Sequence, residues 1–135
     1  FSILEVLIII MMVPMVVLMV VVHAWAPIET KTFGLVAVVF MALLAGTTSG
    51  VHFIILTLSH QPAFAGLPGL SLLLSFNWPS VPYALDILGW DIFFSLSMLF
   101  AAPIFGGSRL ALAVRITMIV SGGLGLAGLG GGAWL

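Results

Sequence analysis

Charge and sulfur nucleophiles are what this chain has least of. Of its 135 residues only 3 are Lys or Arg and 4 are Asp or Glu, 5% charged in all, where soluble domains carry about 25%. So few polar groups cannot coat a water-facing surface. With a formal net charge of −1 there is no electrostatic basis for a nucleic-acid partner, and no polybasic patch for anionic headgroups. Cysteine is absent, which removes disulfides, thiolate metal sites, cysteine nucleophiles and palmitoylation together. No segment alternates apolar and polar residues over about ten positions, so a transmembrane β-barrel is excluded. The nucleophile elbow, the H-E-x-x-H zinc motif, the phosphate-binding loop and the dinucleotide fingerprint are all missing, as is an inverted repeat of the transporter kind.

Hydrophobic residues make up 63% of the chain, and they fall in blocks of about twenty, the length a helix needs to cross a bilayer. The run 1–22 is too long for a signal-peptide core and lacks a basic leader. The composition therefore predicts a single domain over 1–135: an all-α integral membrane protein with four transmembrane helices over 3–25, 33–59, 83–104 and 109–134. Up-down-up-down topology follows from the short connections at 26–32 and 105–108. Between the second and third spans, Pro62, Pro68, Pro79 and Pro82 punctuate a segment whose apolar part, 67–78, is too short to cross; it reads as an interfacial or re-entrant helix. Pro14 marks a kink in the first helix, Thr30 or Thr32 can cap the second, and Ser108 the fourth. The chain begins at Phe1 and stops inside a Gly-rich apolar run, so helices of a longer protein can lie beyond either end.

Lys31, Arg109 and Arg115 belong to the two short loops, and the long middle loop has no Lys or Arg. The positive-inside rule then places loops 26–32 and 105–108 in the cytoplasm, with a plasma (inner) membrane as the setting. Arg109 and Arg115 fit snorkelling to headgroups, and Arg115 can reach Glu29.

Counting residues along the helices sorts the ionisable groups by depth. Glu5, His52, His60, Asp86 and Asp91 lie toward the face of the long loop; His23, Glu29, Lys31, Arg109 and Arg115 lie toward the other. The stretch Gly46-Thr47-Thr48-Ser49-Gly50-Val51-His52 is the most polar part of any span, and must face protein or water rather than hydrocarbon. Helical periodicity puts Ser49 and His52 on one stripe. Asp91 lies over 100° round its helix from Asp86, so the two do not form a dyad. His52 with Asp91 or Asp86, joined by Glu5 and Ser49, is a candidate protonatable cluster able to relay protons, bind a cation or act as acid and base. The alternative is that the carboxylates sit solvated at headgroup depth.

Small residues recur at Ala42, Gly46 and Gly50 and again at Gly125, Gly128 and Gly132. Both sets suit close helix packing, the second against helix 2 or an identical subunit. Met11, Met15, Met19 and His23 recur every fourth residue, a stripe of soft ligands for Cu(I) but equally an apolar packing face. His52 and His23 stand too far apart for a shared haem. The expectation is therefore no cofactor and no metal, with bound lipid as the one retained small molecule. The partners expected are the lipid bilayer and either further copies of the chain or other membrane subunits. Three functions remain open: a non-catalytic membrane component or subunit, a proton- or solute-coupled transporter or channel using His52 and Asp91, and a membrane-embedded enzyme on a lipid or isoprenoid substrate.

Overall fold

The computed structural model describes residues 2–131. Four of its helices are long and apolar enough to cross a membrane, and no strand occurs among the described residues. Helix α1 is Ser2–Trp25, α2 is Lys31–Leu58, α3 is the five-residue Leu70–Leu74, α4 is the continuous Val81–Ile104 and α5 is Arg109–Gly131. The sequence-predicted end of the fourth span, with Gly132 and Trp134, lies outside the described residues. In the middle loop the regular helix is shorter than the apolar stretch 67–78, because Gly69 in the left-handed region (φ +78°) starts it and Ser75, extended, stops it.

Leu, Ile, Val and Met leave α1 with no internal helix breaker except Pro14, and the helix continues through that proline. After Trp25 the chain turns through a short 3-10 segment, Ile28–Thr30. Thr30 occupies the N-cap of α2, yet its hydroxyl turns back to the Pro27 carbonyl (3.3 Å) and does not cap. The capping of this turn runs the other way: Lys31 Nζ donates to the carbonyls of Ala24 (2.8 Å) and Ala26 (3.4 Å), bringing a positive charge to the C-terminal end of α1, where the helix dipole favours it. Ser108 Oγ accepts from the Ala111 N–H (3.1 Å) at the start of α5. Arg115 forms no ion pair with Glu29: the only ion pair among the described residues is elsewhere.

α1 packs on α2, α2 on α4, and α4 on α5. Met12, Met19, Ala37, Met41, Leu44 and Ala101 form the core at the α1–α2–α4 seam. Ala37 is small enough to let α4 come close, and Ser97 Oγ crosses to its carbonyl at 2.8 Å, a fully buried interhelical hydrogen bond. In hydrocarbon such a bond contributes about 0.6 kcal/mol. Most other large side chains on α1 and α5 point outward, the surface expected where the solvent is lipid rather than water.

α4 is not uniformly α-helical. Leu88–Phe94 is wound as a π-helix between two α-helical parts, and Ala102–Ile104 closes in a 3-10 turn. Gly89, in the π segment, is buried against Leu44 and Thr48 of α2. A π turn rotates everything beyond it relative to a straight helix and often marks a functional position.

Candidate functional site

Glu5, in the first turn of α1, and His52, near the end of α2, are brought together because the two helices are joined by a tight turn at their other ends. His52 Nδ1 and Glu5 Oε2 form a buried ion pair; the two residues are only 6% and 8% exposed. A single proton held between Nδ1 and Oε2 leaves the pair neutral whichever atom carries it, given a protonated Nε2. Gaining or losing that proton therefore changes the charge of the site. Burial of both partners together, rather than of either alone, is what makes ionisable groups tolerable here.

The ring of Phe76, just beyond α3, lies 4.9 Å from the His52 ring at an interplanar angle of 31°. The middle loop thus folds back over the pair. Beside it is a cavity of about 430 Å³ whose lining includes Glu5, Leu56, Ser59, His60, Phe76 and Asn77. Most of that lining is apolar, and Glu5, Ser59, His60, Ser75 and Asn77 supply its polar groups. Ser59 Oγ and His60 Nδ1 are 2.9 Å apart at its rim.

On the α4 side, Asp86 lies within charge-interaction reach of His52 and beside the Trp90 indole. Its Oδ1 is buried without a hydrogen-bond partner. Glu5, His52 and Asp86 therefore form one neighbourhood. Ser49 does not join it, and Asp91, although within charge-interaction reach of Asp86, turns its carboxylate away. Asp91 points to α5, its carboxylate oxygens 3.5 and 3.8 Å from where a Cβ on Gly128 would stand. Ser49 is half-buried toward α1, in a groove with Met12 and Ala45. No protein-family model, curated protein or solved structure matches this chain. Its function has to be argued from these contacts.

The glycines are placed as follows. Gly46 and Gly50 have open space where a Cβ would be, and Ala42 is exposed beside them. Gly125 and Gly128 meet α4, not α2, together with Gly122: their neighbours are Ser95, Leu99 and Asp91. Gly132 is outside the described residues. The Met stripe also divides. Met11 is 43% exposed whereas Met19 is 2% exposed. His23 backs onto Gly34, its buried Nδ1 without a partner. Among the described residues no three His, Cys, Asp or Glu side chains gather as a metal-holding group.

Four contributors were not singled out from sequence: Phe76, Thr48, Ser95 and Ser97. Thr48 and Ser95 are fully buried with unpartnered hydroxyls. The polar run 46–52 contains Thr48, but helical spacing alone does not say which of Thr47, Thr48 and Ser49 turns toward α4. For Ser95 and Ser97 the available signal was a pair of small hydroxyl residues two apart in an otherwise bulky apolar span.

Proposed function

We propose that the chain is a multi-pass membrane protein of the proton-coupled carrier type, with Glu5 and His52 as its proton-exchanging pair. The single observation carrying this reading is the buried Glu5–His52 pair, whose Glu5 lines the 430 Å³ cavity. A purely structural pair needs no cavity, whereas a coupled carrier needs its protonatable groups and its solute space to share a wall. The lining favours a small, mainly apolar solute with one hydrogen-bonding end, the end that faces Glu5. Protonation at Glu5–His52 alters the charge facing that end and so couples proton and solute occupancy. In this reading the four spans alternate direction, loops 26–32 and 105–108 face the cytoplasm, and the cavity opens on the opposite side.

The test uses proteoliposomes enclosing a pH-sensitive dye and a panel of small amines and neutral amphipaths added outside. A solute-dependent internal pH change is expected from the unmodified chain and its loss from Glu5→Gln and from His52→Gln. If no member of the panel produces a signal that depends on both residues, the carrier reading is wrong.

A second reading, a non-catalytic subunit that docks through small residues, is favoured by one separate observation. Ala42, Gly46 and Gly50 form an outward face of α2 with nothing against it at the two glycines, the kind of surface on which another transmembrane helix packs. Because the chain has no cysteine, Gly46→Cys introduces a unique thiol. Disulfide-linked dimers on mild oxidation in membranes are expected if the occupant is a second copy.

A further inference from the structure

Gly122, Gly125 and Gly128 give α5 a strip without side chains where it meets α4, and polar atoms fill it. Ser95 Oγ lies 2.1 Å from the position a Gly125 Cβ would take, the Asp91 carbonyl oxygen 3.6 Å from it, and the Asp91 carboxylate 3.5 Å from that of Gly128. Ser95 is 0% exposed, and its hydroxyl has no hydrogen-bond partner. Asp91 is ten residues into α4, about 15 Å along its axis, near the middle of a span where an uncompensated carboxylate is costly. No cation of the protein answers it: the only ion pair among the described residues is Glu5–His52.

The backbone adds a further oxygen: the Asp91 carbonyl, in the π-wound part of α4, faces α5. Irregular helical backbone whose carbonyls join side-chain oxygens is how membrane helices hold desolvated monovalent cations. A single carboxylate with neutral oxygens is too little negative charge and too few ligands for a divalent ion's usual cage. The absence of nitrogen or sulfur donors rules against the softer transition metals.

We propose that Asp91 and Ser95, with the Asp91 carbonyl, form a Na⁺ site in the glycine notch between α4 and α5. It is separate from the Glu5–His52 pair and does not rest on the carrier reading. A side chain at Gly125 would displace the Ser95 hydroxyl from the notch, where that hydroxyl supplies a buried neutral oxygen.

Binding of ²²Na⁺ to the detergent-purified chain tests this directly, alongside thermal unfolding in NaCl and in choline chloride at equal ionic strength. Saturable binding and a Na⁺-specific rise in unfolding temperature are expected. Asp91→Asn abolishes both, Ser95→Ala weakens affinity about tenfold, and Thr117→Ala, on the other half of α5, changes neither. Asp91→Glu provides a second probe should Asp91→Asn not fold: it keeps the charge, and its longer arm should weaken binding without abolishing it. The proposal is overturned if wild-type protein shows no saturable Na⁺ binding, if choline stabilises equally, or if Ser95→Ala and the folded Asp91 variant bind as wild type does, which would leave a proton as the only occupant of Asp91.

Discussion

Replacing glycines of α5 one at a time separates packing from helix propensity. A Cβ at Gly122 would stand 2.7 Å from Leu99 Cγ and 2.8 Å from the Ser95 carbonyl oxygen, whereas one at Gly123 would meet nothing within 4 Å. The carbonyl belongs to the α4 backbone and cannot swing aside, so Gly122→Ala must push α4 and α5 apart. Overpacking of this kind costs about 1–3 kcal/mol. Alanine recovers roughly 1 kcal/mol over glycine in a helix interior, a gain present at both positions. Gly123→Ala should therefore be neutral or stabilising by up to about 1 kcal/mol, and Gly122→Ala should be less stable than Gly123→Ala by the overpacking cost of about 1–3 kcal/mol. Gly125→Ala falls between them, because the close atom is the Ser95 hydroxyl (2.1 Å), which can rotate away while Ser95 Cβ stays at 3.5 Å. Unfolding by SDS in mixed micelles, followed by tryptophan fluorescence, gives the ranking. Equal stability of Gly122→Ala and Gly123→Ala would refute the α4–α5 packing described here, and the cation site with it.

The remaining expectations concern polar contacts. Glu5→Ala leaves the buried His52 unpaired and should cost about 3 kcal/mol, while Glu5→Ala with His52→Ala costs less than the two singles summed; strict additivity in the same unfolding assay would show that the pair is not coupled. Ser97→Ala removes the bond to the Ala37 carbonyl and should lower stability by about 0.6 kcal/mol, an effect absent from Ser71→Ala, an exposed position in α3. Ser108→Ala deletes the cap on the Ala111 N–H and should cost about 1 kcal/mol; faster amide exchange confined to the first turn of α5 is the accompanying sign. Phe76→Ala uncovers the His52 ring and should raise amide exchange in the middle loop and at the end of α2 while leaving α5 unchanged.

The arithmetic of apolar runs determined the all-helical class and the four helices long and apolar enough to cross a membrane. Depth was legible for the same reason: at about 1.5 Å of rise per residue, a short α1–α2 turn obliges Glu5 and His52 to lie at one level. Which way each side chain turns at that level was decided only by the tertiary structure. Asp86 faces α2 and His52, while Asp91 faces the glycines of α5. The polar run 46–52 turns Thr48, not Ser49, toward α4, and the glycines of α5 meet α4 rather than α2. Rise accumulates along one helix and is fixed by residue count. Azimuth depends on which neighbour occupies each face and on the π turn at Leu88–Phe94, which alters the helical phase in a way that no periodicity in the sequence announces.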